Sequence, residues 1–301
     1  MRIIITGGSG LIGRALTDSA AKDGHEVIVL SRTPGAVKNL PKGARAEKWD
    51  GQSAQGWSQF IDANTAIVNL AGATISKRWT DAQKQAIRQS RIDAGQAIVA
   101  AVKAASQKPA VVVQSSAVGY YGPRGSEEIG EEAAAGNDFL ASVAKEWEAS
   151  TAELDQLGVR RVIVRTGVVL DKRGGALPLM ALPVKAFVGG PLGGGKQYLP
   201  WIHLDDEVAA IRFVIENPKA SGVYNLSAPQ PVTNAEFTKV LGQVLGRPTF
   251  LPTPGFPLKI VLGEMSTLVL DGQRQMPRRL LADGFKFKFG DAAAALRDIY
   301  R

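Results

Sequence analysis

The chain has 301 residues, 45% of them hydrophobic and 21% charged, with a formal net charge of +8, a make-up that supports a folded protein of about two domains or one domain and a lobe. With no cysteine and two histidines, disulfides, thiolate catalysis and cysteine-ligated metals are excluded, and no apolar run reaches the ~18 residues of a membrane span. Basic residues are scattered singly among acids and aromatics make up only 7%, so no nucleic-acid, membrane or metal partner is expected and the excess charge is assigned to a pocket for anionic ligands.

Residues 2–13 organise the rest. Arg2-Ile3-Ile4-Ile5-Thr6 is a β-branched apolar run, Gly7-Gly8-Ser9-Gly10 a tight turn, and Leu11–Lys22 an amphipathic helix. Gly8-x-Gly10-x-x-Gly13 and Gly7-x-x-Gly10-x-x-Gly13 both fit dinucleotide-binding spacings, in which glycine lets the backbone turn sharply and approach a diphosphate at a helix N-terminus. Because 33 glycines will produce such spacings by chance, the strand–turn–helix context carries the reading, and a second strand follows at Glu26–Leu30. Met1 runs directly into the first strand, leaving no room for a leader, so a cytoplasmic location is expected.

An NAD-preferring site places Asp or Glu about 20 residues beyond the glycines to hold the ribose 2′-hydroxyl. Here Ser31 and Arg32 stand there, and a guanidinium suits a 2′-phosphate, so NADP is the expected cofactor, with NADPH preferred over NADH. A weak third strand, Ala44–Lys48, leads to Asp50, which is placed to meet the adenine amino group. A fourth, Ala66–Leu70, runs into Ala71-Gly72, small enough for ribose and phosphate to lie on backbone. Lys77 and Arg78 follow at the carboxyl end of the strands. A long helix is expected over Thr80–Ser106, opened by a capping-box spacing at Thr80 and Gln83, with Arg91 on its inward face. Strand five, Ala110–Gln114, precedes Ser115–Gly122; Asp138–Leu157 reads as helix and Arg160–Arg165 as strand six. Beyond Leu170 the alternation breaks: Gly189–Lys196 reads as an exposed loop, Asp205 as the N-cap of a helix over Glu207–Glu216, and Thr233/Glu236 as a capping box.

The glycine cluster, Asn69-Leu70-Ala71-Gly72, Ser115-Ser116-Ala117-Val118-Gly119-Tyr120-Tyr121-Gly122 and Trp201-Ile202-His203-Leu204-Asp205-Asp206, in this order, resemble the extended short-chain dehydrogenases/reductases. Within them the chain is most similar to the YfcH-like nucleoside-diphosphate-sugar epimerase group, whose further signatures are matched by Trp147-Glu148, Arg165–Leu170, Gly189-Gly190-Pro191 and Leu270–Arg274. The resemblance implies an α/β fold: a Rossmann-type doubly wound parallel sheet (residues 1–169 and 200–228) and a smaller, mostly helical C-terminal lobe (170–199 and 229–301). It places cofactor contacts on Gly7, Gly10, Leu11, Ile12, Gly13, Ser31, Arg32, Leu70, Ala71, Gly72, Arg91, Ser115 and the backbone near Val169, and gives His203 a structural role.

Active members of this class use a Tyr as acid/base, a Lys four residues later that lowers its pKa, and a Ser or Thr on the substrate oxygen; a free Tyr, near 10, would be a poor base. The Lys candidate is Lys145, but Ala141 stands four residues before it, and no Tyr-x-x-x-Lys occurs anywhere. Ala117 occupies the usual Ser position, with Ser116 one residue earlier. Ser116, Tyr120, Tyr121 and Lys145 are therefore the candidate substitutes. Two readings follow: an NADP(H)-binding oxidoreductase or epimerase-like protein acting on a small polar substrate, of which a nucleotide-linked one is an example, and a non-catalytic NADP(H)-binding protein whose C-terminal lobe meets a partner. The sequence sets no oligomeric state.

Overall fold

The computed structural model describes residues 1–301. Alternation along β1 (Arg2–Thr6) sends Ile3 and Ile5 to one face of the sheet and Ile4 to the other. Ile3 and Ile5 meet Leu16 and Ala20 of α1 (Leu11–Lys22) and Val208, Ile211 and Val214 of the Leu204–Glu216 helix. Ile4 meets Ala94, Ile98 and Ala101 of α2 (Asp81–Ala104), together with Trp49 and Trp57. Buried on both faces, the strands read as continuous apolar runs, as parallel sheets require.

The sheet has seven parallel strands: Gly222–Leu226, Arg161–Thr166, β5 (Val111–Ala117), β4 (Thr65–Asn69), β1, β2 (Glu26–Ser31) and β3 (Ala44–Lys48). Strand order reverses between β1 and β4, so a crevice opens at their carboxyl ends, where doubly wound sheets hold ligands. No helix is long and apolar enough to cross a membrane.

Local details differ from the sequence reading for identifiable reasons. The helix expected over 138–157 ends at Ala149 as α3 (Phe139–Ala149) and resumes as one turn, Glu153–Gln156. Ser150 Oγ donates to the Trp147 carbonyl and Thr151 Oγ1 to that of Glu148, capturing groups a longer helix would use. Gly95 of α2 allows the close fit there, since a Cβ would stand 1.9 Å from Ser150 Oγ. At α2, Thr80 caps the Gln83 amide but Gln83 turns to the Thr74 carbonyl, so the reciprocal half of the box is missing. Asp205 is not an N-cap: the helix begins at Leu204, and the capping acceptor is His203 Nδ1, 3.0 Å from the Asp205 amide.

A third core, built on Leu170, Leu177, Trp201, Phe237, Leu241 and Leu296, holds the C-terminal lobe. It interleaves with the first: Trp201 and Ala228 join the lobe, whereas Leu280 and Phe285 pack into the sheet's core. Thr233 and Glu236 form a complete capping box. The Gly189–Lys196 segment is partly buried, because a Cβ on Gly190 would lie 1.9 Å from the Leu251 carbonyl oxygen; its glycine permits backbone contact.

Candidate functional site

The glycine turn is fixed by two crowded approaches. Gly7 has φ +67° and would place a Cβ 2.6 Å from the Leu70 carbonyl oxygen; a Cβ on Gly13 would stand 2.5 Å from Gly8 Cα. Gly10 caps α1 without a side-chain bond, there is no acid in the first turn, and the Leu11, Ile12 and Gly13 amides donate to nothing in the protein. Free N–H groups at the positive end of a helix suit a diphosphate. Ile12 offers only its amide, since its side chain packs on the first core, as does that of Leu70. Leu11 lines a polar cavity of 510 Å³ with Arg14, Lys38 and Arg173, which runs along Gly8, Ser9 and Gly10 of the turn.

Inside the crevice a cavity of 440 Å³ runs from Gly7 and Ser9 past Ser31, Arg32 and Asp50 to Ala71, Gly72 and Ser90. The Arg32 guanidinium makes no hydrogen bond or ion pair and stands exposed at its rim, while Ser31 Oγ accepts from the Thr33 amide. Asp50 lines the same cavity, but its carboxylate holds its own loop, accepting from the Gln52 and Ser53 amides and the Ser53 hydroxyl, which keeps its pKa low.

A second cavity, 220 Å³ and mainly apolar, lies beyond it, between the sheet edge and residues 267–273 of the lobe. Arg91 is its half-buried cation. Its Nη1 donates to the Ala73 and Ile87 carbonyls at 3.1 and 2.9 Å, its guanidinium lies 4.8 Å from the Trp147 ring centroid, and no carboxylate pairs with it. Burial pushes its pKa down to about 10. Gly72 leaves room for it, a Cβ there lying 2.9 Å from Arg91 Cζ. Arg88 instead points outward to Ser142 and Glu146. Asp271, at the rim, is held above the usual carboxylate range by partial burial and by Asp138.

The helix face presented to this cavity corrects the register expected for chemistry. Leu140, Val143, Ala144 and Trp147 of α3 line it; Lys145 is exposed and Ala141 is buried away from it. The positions four apart that face the cavity are thus Leu140 with Ala144 and Val143 with Trp147, not 141 and 145, and none of them carries an ionisable group. Lys145 lines neither crevice cavity.

The other candidates are engaged beneath the site. Ser116 Oγ donates to Glu148 Oε1 at 2.6 Å, and Glu148 is gripped by Arg165 through bonds of 2.8 and 2.9 Å. Tyr121, fully buried, donates to Asn225 Oδ1 at 2.6 Å and accepts from Arg165 at 3.0 Å; burial pushes its pKa up to about 12, which disqualifies it as a base near neutrality. Tyr120 lies flat against the Arg165 guanidinium, 3.3 Å from ring centroid to Cζ. Burial pulls Arg165 down, but Glu148 outweighs it and holds the guanidinium above its ordinary pKa. None of the three lines the cavity; Ala117, Val118 and Gly119 do. Ser115 is buried in β5, and Val169 packs on the first core while Val168 takes the wall. Lys77 and Arg78, expected at the carboxyl end of the strands, and Lys196 are exposed and line neither crevice cavity. His203 stacks on Phe289 at 4.1 Å, and burial lowers its pKa.

One acid escaped the sequence reading. Glu207 looks like an ordinary helix-surface residue, yet it is 1% exposed and accepts the hydroxyl of Thr166, a cavity residue, at 2.8 Å. Its spacing from Leu204, Val208 and Ile211 on a buried helix face was the available signal.

Sheet order, crevice and glycine turn define a Rossmann-type protein whose cleft is built for a dinucleotide. Residues 3–227 match the NAD dependent epimerase/dehydratase family and residues 253–299 a domain of unknown function (DUF1731); the chain belongs to that epimerase/dehydratase family. It is 40% identical to the chloroplastic epimerase family protein SDR39U1 homolog of Arabidopsis thaliana over 99% of this chain and 86% of that one. It is 38% identical to the epimerase family protein YfhF of Bacillus subtilis, over 99% and 98%. Among solved structures, human epimerase family protein SDR39U1 (isoform 2), crystallised with NADPH, superposes with a TM-score of 0.89 at 35% identity, covering 100% of this chain and 99% of that one. The Thermus thermophilus UDP-glucose 4-epimerase complex with NAD shares the fold, with a TM-score of 0.77 at 18% identity, over 100% and 99%.

Proposed function

We propose that the protein binds NADP(H), NADPH in preference to NADH, and that it moves hydride between this cofactor and a small substrate seated in the 220 Å³ cavity. The α1 amides would hold the diphosphate, Ser31 and Arg32 the 2′-phosphate, and Ala117 with Thr166–Val168 the nicotinamide. The bound cofactor supplies the hydride; the chain orients both partners and excludes water, which accounts for a sizeable part of a hydride-transfer rate. The carrying observation is Arg32: an uncommitted guanidinium at the end of β2, with no acid beside Ser31 to accept a ribose hydroxyl. The human relative crystallised with NADPH supports the same choice. The apolar Leu140 and Ala144 favour a second reading, a cofactor-binding protein without turnover.

Fluorescence titration with NADPH and NADH tests the first claim: NADPH binds at least tenfold more tightly, and equal affinities would overturn the reading. Incubation with NADPH and a panel of carbonyl compounds and nucleotide-sugars, followed at the nicotinamide absorbance, separates the two readings, since absence of turnover across the panel favours the second.

A further inference from the structure

Between the sheet and the Leu204–Glu216 helix sits a carboxyl group that cofactor binding does not explain. Glu207 is 1% exposed, its Oε1 accepts from Thr166 at 2.8 Å, and its Oε2 has no partner. A buried carboxylate without a counter-charge is costly, so this position holds a neutral acid; burial pushes its pKa up to about 8, the Thr166 bond opposing.

The charged groups of the surrounding elements face elsewhere. On its own helix, Asp205 takes the Lys288 ammonium, Asp206 the Lys288 and Phe289 amides, and Arg212 pairs with Asp23 and Glu216. His203 faces the Asp205 amide and Asp298. Arg165, next to Thr166 but on the other face of its strand, is taken by Glu148, and Arg160 by carbonyls at the helix end. On α1, Arg14 turns to the Ser9 carbonyl. A leucine would fill this place without the cost of a buried acid, so the glutamate has a use.

Thr166 is where that acid meets the cleft, ending its strand at the cavity wall between Ala117 and Val168. We propose that Glu207, acting through the Thr166 hydroxyl, is the proton-holding group of a cleft whose α3 wall, Leu140, Val143, Ala144 and Trp147, offers no tyrosine–lysine pair. This rests on the NADP(H) reading above. When a carbonyl is reduced by hydride from NADPH, its carbon would gain the hydride as the C=O π bond opens, and its oxygen would take the Thr166 proton once that hydroxyl turns from Glu207 Oε1, where it rests, to the cavity. Thr166 recovers a proton from Glu207, whose only hydrogen-bond partner it is, and the carboxylate regains one through the same hydroxyl after the product has left the cavity; the hydride comes from the cofactor, which would be left in its oxidised form. An ionised Glu207 is favoured beside a cationic, oxidised nicotinamide and disfavoured beside the neutral, reduced one.

That difference is measurable without a substrate. Binding isotherms are recorded for oxidised NADP and for NADPH, and proton release at saturation is followed with an indicator dye in weakly buffered solution at pH 7. The oxidised form should release more protons than NADPH, by up to one per site; contributions of the 2′-phosphate, common to both, cancel. E207Q, or E207L if the amide fails to fold, should abolish the difference at cofactor saturation, and T166V should reduce it. Equal release for the two nucleotides in the unmodified protein, or a difference that survives E207Q, overturns the proposal. If neither nucleotide binds, the isotherms report failure of the cofactor reading itself, and the proposal falls with it.

Discussion

Replacing Arg165 with methionine tests the claim that Ser116, Tyr120 and Tyr121 belong to a structural network. The substitution removes two bonds, 2.8 and 2.9 Å long, from a Glu148 carboxylate whose side chain is only 11% exposed, leaving it the Ser116 hydroxyl at 2.6 Å. Removing one partner of a buried ion pair costs about 3–5 kcal/mol. The lost bond to Tyr121 and the face contact with Tyr120 add about 1–2 kcal/mol, so R165M should cost roughly 4–7 kcal/mol. That is a large share of the ~5–15 kcal/mol that holds a domain together. Urea unfolding followed by tryptophan fluorescence measures it by linear extrapolation. The double variant R165M/E148L removes both charges and should recover more than half of the loss. A cost below about 1 kcal/mol for R165M, or a double variant no better than the sum of the singles, would refute the reasoning.

Arg32→Ala should weaken NADPH about 5–30-fold, the equivalent of about 1–2 kcal/mol for an exposed charged contact, and leave NADH nearly unchanged; calorimetry at two salt concentrations should show the gap closing as salt rises. Gly13→Val should abolish dinucleotide binding, because even a Cβ would lie 2.5 Å from Gly8 Cα, and thermal shift with and without NADPH reads the result. Lys145→Ala should leave NADPH affinity within about twofold, since the side chain is exposed on α3 away from the cavity; a tenfold loss would restore it to the site. For Glu207 the folded pKa lies above the unfolded one, so the native state binds more protons between them. Stability should therefore fall as pH rises from 4.5 to about 8, by at most ~1.4 kcal/mol per unit, and level off above; E207Q should flatten this slope in urea titrations.

Much of the frame was legible in local sequence. A run of Ile3, Ile4 and Ile5 followed by clustered glycines and an amphipathic helix admits few structures, because strand alternation, turn sterics and helix packing are satisfied by neighbouring residues. The observed α1 and β3 have the expected bounds, and Thr233/Glu236 opens its helix as expected. The same locality put Arg32 at the end of β2.

Which side chains face the cleft was decided only by packing. A one-residue step on a helix rotates a side chain by about 100°, so the difference between Leu140/Ala144 and Ala141/Lys145 turns on how α3 sits against β5 and α2. Sequence alone could not reveal that Arg165, 17 positions from Glu148 and 44 from Tyr121, would gather those candidates under the sheet edge. Nor could it reveal that, of the two acids buried in the run Asp205-Asp206-Glu207, Asp206 would be held by backbone amides and Glu207 would be left with Thr166 alone. Backbone geometry is set by short-range sterics, whereas the protonation and reach of a side chain depend on neighbours that only the folded chain brings together.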